Sequence, residues 1–206
     1  ATNITSLAGL EALNSVDSIS LYSNASLTSL SGLGERTLSG SLSIMDNASL
    51  RSLAGAPFTS IEGSVGIQEN PALTSLDGLQ ALERVGGMIY VFENPVLTSL
   101  AGLDSLSELG GLLLKYNYNL TSLHGMPALT ALSGSLEITV CPALATLDGL
   151  GAITRIDGEL QVRQNESLTS LSGLEGLKSV GLDVSISDHP QLASLEGLSG
   201  LESIGG

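Results

Sequence analysis

Large aromatic side chains are almost missing from this chain. Its 206 residues include two Phe, four Tyr and no Trp, an aromatic share of 3 %. A core without rings has to be assembled from Leu, Ile and Val, which suit a narrow, regular interior. Only one cysteine is present, Cys141, so no internal disulfide can form. This does not argue against secretion, because staples matter mainly where the core is too small to hold a fold. Basic residues are scarce too: seven Lys and Arg stand against 21 Asp and Glu, for a net charge of −14 and a pI near 4.2. Binding nucleic acid relies on Lys and Arg to displace counterions from phosphate. An anionic membrane surface calls for the same charges. Neither is an expected partner. No apolar run approaches the roughly 20 residues of a membrane-spanning helix, so membrane insertion by this segment is not expected.

What the chain has is repetition. The stretch from Asn70 to Glu93, NPALTSLDGLQALERVGGMIYVFE, is one unit, and nearly everything else is a copy of it. Equivalent units open at Asn24, Asn47, Asn94, Asn117, Cys141, Asn165 and His189, spaced by 23 or 24 residues. A unit preceding these runs from Ala1, which takes the Asn position. A fixed period of this length marks a solenoid, in which one unit cannot bury its apolar face alone and stacked neighbours share a core. The chain reads as eight full turns and most of a ninth, over residues 1–206 and with no linker or second domain. Ending in mid-repeat at Gly206, it reads as a segment of a longer protein.

Four features recur in each turn. An apolar-x-apolar pair lies just before the Asn position, as in Ile19/Leu21, Leu42/Ile44, Val65/Ile67, Ile89/Val91, Leu160/Val162 and Val184/Ile186. Alternation with β-branched residues predicts a short strand with one buried face. Stacked, these strands should form a parallel sheet. The Asn column comes next. An amide at a fixed corner can bond its own turn and its neighbour, so Asn24, Asn47, Asn70, Asn94, Asn117 and Asn165 are expected to form an internal ladder, with Cys141 and His189 as its two departures. The third feature, L-T-S-L, supplies two apolar columns, one through Leu73 and Leu97 and one through Leu76 and Leu100. A hydroxyl column from Ser6 to Ser194 runs between them. The last, G-L-x-x-L-x-x-V-G-G, carries all the length variation and should be the irregular side, with short helical or strand-like pieces. Several of the acidic residues fall in it (Glu11, Glu35, Glu83, Glu108, Glu175, Glu202) and suit a solvated, solubilising face.

The pattern L-x-V-x-x-N-P-x-L-T-S-L-x-G-L-x-x-L-x-x-V-G-G resembles the receptor L domain, which flanks the cysteine-rich region of insulin-receptor and EGF-receptor ectodomains. It is also similar to leucine-rich repeats through its L-x-x-N turn. Related repeats occur in fungal cell-wall proteins and in bacterial surface proteins, and the regularity here is closest to the bacterial kind. The resemblance spans the whole chain. It implies a right-handed, parallel β-helix-like solenoid rich in β structure, an extracellular or cell-surface setting, and binding in place of catalysis, often through the main sheet. The capping cysteines of receptor L domains are absent, and neither end carries an evident cap.

No catalytic set emerges. His124 and His189 sit almost three turns apart, at least roughly 13 Å along the axis at about 4.8 Å per turn, too far to share a metal. Cys141 has no His in its turn or the next and reads as a buried, unreactive thiol. The Gly-Gly pairs repeat as corners and are not phosphate loops. No metal, cofactor or catalytic residue is expected. Glycosylation sequons occur at Asn3, Asn24, Asn47, Asn119 and Asn165. The three in the ladder should face inward, while Asn3 and Asn119 should be exposed.

The outward positions of the main sheet are the informative ones. In the early turns they are small or polar: Ser18, Ser20, Ser41, Ser43, Ser64 and Gly66. In the middle they become Met88, Tyr90, Phe92, Leu113 and Lys115, with Tyr116 and Tyr118 at the adjoining corner. Later turns carry Glu137, Gln161 and Arg163. Aromatic and Met side chains on an exposed sheet mark an interaction patch, so a protein or glycan ligand is expected at Met88, Tyr90, Phe92, Leu113, Lys115 and Tyr116. Two alternatives stand beside this. One is an ice-binding, lattice-matching solenoid, suggested by the column Thr5, Thr28, Thr74, Thr98, Thr121 and Thr169, which Arg51, Ala145 and Ala193 interrupt. The other is a spacer or self-assembling subunit that stacks end to end through uncapped terminal rungs.

Overall fold

A computed structural model of the protein describes residues 3–13, 15–34, 36–56 and 58–205. Ala1, Gly206 and the acidic Glu35 lie outside the described residues. The chain winds into a parallel β-solenoid of about eight turns with rungs of about 24 residues. Its strands are β1 (Ile19–Tyr22), β2 (Arg36–Leu38), β3 (Leu42–Met45), β4 (Phe58–Ile61), β5 (Val65–Gln68), β6 (Arg84–Phe92), β7 (Glu108–Lys115), β8 (Ala131–Leu132), β9 (Leu136–Thr139), β10 (Arg155–Ile156), β11 (Leu160–Arg163), β12 (Ser179–Val180), β13 (Val184–Ser187) and β14 (Ser203–Ile204). One 3₁₀ turn, Glu196–Leu198, is the only helix among the described residues.

The apolar-x-apolar pairs build the main ladder, β1-β3-β5-β6-β7-β9-β11-β13, every pairing parallel. Register follows the repeat: Ile44 sits against Ile67, Ile67 against Val91, and Val91 against Leu114. Insertions elsewhere in the unit do not disturb it, because a slip by one residue would turn each apolar side chain out to water.

The variable segment is more ordered than the sequence suggests. It carries a second parallel ladder, β2-β4-β6-β7-β8-β10-β12-β14, centred on Leu38, Ile61, Val85, Leu109, Leu132, Ile156, Val180 and Ile204. In β6 and β7 one strand runs through both ladders, bending at Gly86-Gly87 and Gly110-Gly111. Stacking demands these glycines: a Cβ on Gly110 would collide with the carbonyls of Gly86 and Gly87 one turn back. The side chains outside this ladder are charged. Arg84 pairs with Glu62 and Glu108 on the turns to either side, Arg155 with Asp157, and Lys178 with Glu202. All are exposed, so solvent and salt screen them and they add little to stability. Glu175, also exposed, accepts the Gly173 N–H, and hydrogen bonds from the backbone hold its carboxyl below the usual range.

The L-T-S-L columns form the core. Leu27, Leu50, Leu73, Leu97, Leu120, Leu144 and Leu168 are fully buried, as are Leu30, Leu53, Leu76, Leu100, Leu123, Leu147 and Leu171. Burial fades at the two ends: Ile4, Leu10 and Leu13 are exposed at one, and Leu182, Leu195 and Ile204 at the other. The intervening hydroxyls close local turns. Each of Ser29, Ser99, Ser122, Thr146, Ser170 and Ser194 accepts the backbone N–H two residues on. The hydroxyl column is therefore a turn-forming device repeated in most rungs.

Candidate functional site

The chain turns a corner at the residue before each ladder position from Asn24 onward. Ser23, Asp46, Glu69, Glu93, Tyr116, Val140, Gln164 and Asp188 all take a left-handed conformation there, with φ between 53° and 62°. The turn swings the following Asn side chain inward. Asn47, Asn70, Asn94, Asn117 and Asn165 are fully buried and Asn24 nearly so. Their Oδ1 atoms accept the backbone N–H one turn back: Asn24 to Asn47 at 3.2 Å, and Asn47 to Asn70, Asn70 to Asn94 and Asn94 to Asn117 each at 3.1 Å. Their Nδ2 groups donate to strand carbonyls, Asn94 to Ile67 O and Phe92 O at 2.9 and 3.1 Å. The sequons at Asn24, Asn47 and Asn165 are accordingly closed, whereas Asn3 and Asn119 are exposed.

The two departures differ in quality. His189 reproduces the amide: Nδ1 lies 3.2 Å from the Asn165 N–H and accepts it, so Nε2 carries the proton and donates to Val162 O at 2.9 Å. Cys141 is a poorer copy, with Sγ 3.8 Å from Thr139 O and 4.0 Å from Leu114 O. Burial pushes its thiol up to about 12, against a smaller downward influence from the neighbouring Asn117. This thiol stays protonated at neutral pH and is structural. Val140, just before it, is the only β-branched residue among the left-handed corners. Such a residue loses roughly 1–2 kcal/mol there, and Asn much less. Val140→Asn should therefore stabilise the protein by about 1 kcal/mol, raising Tm by about 2–4 °C. A fall in Tm on thermal unfolding would mean that packing of the isopropyl group outweighs the backbone term.

The outer face of the main sheet is less free in its early turns than the sequence suggests. The Ser18 hydroxyl accepts the N–H of Ser41, Ser41 that of Ser64, and Ser64 that of Met88, at 2.9, 3.0 and 3.1 Å. These serines form a second internal ladder and do a structural job. Met88 ends that run, and its side chain lies across Gly111, where a Cβ would come 3.2 Å from the Met88 Cγ and Cε.

The residues of the sequence-derived patch lie on β6, on β7 and at the corner that follows β7. Tyr90 is in register with Leu113, and Phe92 with Lys115. On the side of the earlier turn Tyr90 faces Gly66, which has no side chain to cover it. Tyr116 leaves the sheet at the left-handed corner and meets Phe92 edge-on, centroids 5.4 Å apart. Lys115 Nζ lies 5.3 Å from the Tyr116 centroid, a cation–π contact. Tyr118 follows at 6.4 Å from Tyr116 and is exposed. All six residues of the patch are half-buried.

Beyond Tyr118 the sequence reading missed an open groove of about 950 Å³ along the corner of the later turns. One wall is the left-handed column Val140, Gln164 and Asp188. The other is the column just after the ladder, Tyr118, Pro142, Glu166 and Pro190. The signal was present in the repeat, because both walls sit at fixed offsets from the Asn position. Among the described residues no group of three His, Cys, Asp or Glu could hold a metal ion, and no helix is long and apolar enough to cross a membrane. Set against family models, curated proteins and solved structures, the chain gives no match to any of the three.

Proposed function

We propose that this solenoid is a non-enzymatic recognition module. On this reading it belongs to a secreted or surface-anchored protein and binds a protein or glycan partner through the main sheet. The observation that carries it is the clustering of Tyr90, Phe92, Lys115 and Tyr116 on two consecutive turns, bordered by Gly66 and Gln68 on the turn before and by Glu137 and Thr139 on the turn after. Rings that pack on one another at a surface are already ordered before binding, and Tyr with a basic neighbour is typical of interface anchors. The parallel ladders and the buried asparagine corner also support a receptor L-domain-like identity and, with it, the cell-surface setting.

The test is a double substitution. Tyr90→Ser and Phe92→Ser place on these strands the residue found in the same columns at Ser43, Ser185 and Ser187. The fold should survive, with a loss of about 1 kcal/mol from the ring contact. Capture of the partner from native surface material should fall by at least tenfold, equivalent to about 1.4 kcal/mol. Undiminished capture by a folded variant would remove the patch from consideration.

End-to-end association is a second reading, favoured by the exposed Leu182, Leu195 and Ile204 at one terminal rung. A molecular mass by light scattering that stays monomeric as concentration rises would remove it. Lattice matching has less behind it. The Thr28, Thr74, Thr121 and Thr169 hydroxyls each donate to a carbonyl one turn back, at 3.1 to 3.3 Å, which withdraws their protons from the surface.

A further inference from the structure

We propose that the corner groove beyond Tyr118 is a second binding site, whose ligand is an extended peptide carrying Lys or Arg at about every third residue. The site is separate from the sheet-face patch and does not depend on it. Three observations lead to the ligand. The first is charge. Glu166 and Asp188 rim the groove, both exposed, while no Lys or Arg lines it. The whole chain carries −14. A cationic segment is therefore drawn in at long range and meets carboxylates on arrival, whereas an anionic one is repelled.

The second observation is the apolar lining. Tyr118, Val140, Pro142 and Pro190 present rigid side chains that lose little conformational entropy on contact. Tyr118 also offers a ring face to an ammonium or guanidinium group. Such surfaces suit a ligand that is itself extended and stiff. The third is spacing. Pro142 and Pro190 occupy the same column two turns apart, about 9.6 Å at about 4.8 Å per turn. A polyproline II segment advances about 3.1 Å per residue, so three residues cover about 9.3 Å. Its side chains return to the same side at nearly the interval between Pro142 and Pro190, a span within which Glu166 and Asp188 place carboxylates on two adjacent turns.

The experiment uses the full chain and fluorescence anisotropy. The probe is a labelled Pro-Pro-Lys repeat peptide of about 12 residues, with the Pro-Pro-Gln peptide of equal length as its neutral counterpart. The Lys peptide should bind at least about tenfold more tightly than the Gln peptide, and its affinity should drop severalfold between about 50 and about 300 mM salt. Glu166→Gln with Asp188→Asn should weaken it by about tenfold, and Asn at 188 suits the left-handed corner. Glu83→Gln with Asp104→Asn removes the same charge from exposed positions away from the groove and should change affinity less than about twofold. The Tyr90→Ser, Phe92→Ser protein should bind the Lys peptide normally, so failure of the groove and failure of the sheet-face patch are told apart. No binding of the Lys peptide, equal binding of the Gln peptide, equal loss in the two charge-neutralised pairs, or displacement of the probe by a neutral oligosaccharide alone would each overturn the proposal.

Discussion

Asn94→Ala is expected to cost about 3–5 kcal/mol, a large fraction of the stability of a protein this size. Asn94 lies in the middle of the array, fully buried. Its Oδ1 accepts the Asn70 N–H at 3.1 Å, and its Nδ2 donates to Ile67 O and Phe92 O. Phe92 O keeps a second donor in the Glu69 N–H. The Asn70 N–H has no comparable substitute. With Phe92 O still partnered, loss of the bonds to the Asn70 N–H and to Ile67 O accounts for about 2 kcal/mol, and the orphaned buried amide for about 1–3 more. In a linear array the damage falls on the coupling between neighbouring turns, so the substitution should also broaden the denaturation transition as the two halves separate. The same change at Asn24, near one end, should cost less, because that rung frays more easily. Cys141→Asn is the reciprocal case. It replaces a thiol 3.8 and 4.0 Å from its carbonyls with an amide that can make the ladder bonds, and should add about 1 kcal/mol. Equal urea midpoints for Asn94→Ala and the parent would show that the ladder contributes nothing to stability.

Gly78→Ala should be of similar severity, for a different reason. Gly78 follows the L-T-S-L wall with φ +120°, a conformation side chains rarely adopt. It also lies on the Leu53 carbonyl one turn back, so that an added Cβ would sit inside the van der Waals envelope of that group. Backbone strain costs roughly 1–3 kcal/mol. Forcing the rungs apart costs roughly 1–3 more. The total is about 2–6 kcal/mol on this sum. Gly9 separates the two contributions. Its φ is +101°, yet nothing lies within 4 Å of where its Cβ would be, since it sits at the start of the described array. Gly9→Ala should show the backbone strain alone. If chemical denaturation gives the two variants the same loss, the close approach of the turns is not what keeps Gly at this position.

Much of the architecture was legible before any coordinates. Asn70, Leu73 and Leu76 recur at one period with their chemistry intact, and stacking is the only arrangement that buries all three columns at once. That Asn47, Asn70 and Asn94 point inward followed from the same repetition, and they are fully buried. That Phe92 and Lys115 share one column was legible as well, because register in a parallel ladder carries equivalent residues of neighbouring turns onto one face. Three things were not legible. The variable segment reads as an irregular side with short helical or strand-like pieces because its length changes, but the strand pieces join into one continuous ladder, as at Val85 and Leu109. Ser18, Ser41 and Ser64 read as unconstrained surface, although each hydroxyl caps an N–H on the next turn. The groove past Tyr118 was missed altogether.

The repeat alone determined the period, the parallel register, the composition of the core columns and the inward asparagines. Each of these depends on contacts between equivalent positions of adjacent units, and such contacts are written identically in every copy. Tertiary structure alone decided the second ladder, the role of the outer serines and the walls of the groove. The two ladders also join equivalent positions, but whether those backbones come within bonding distance, and whether the two columns of the groove face a common space, depends on the angle through which the chain turns at each corner.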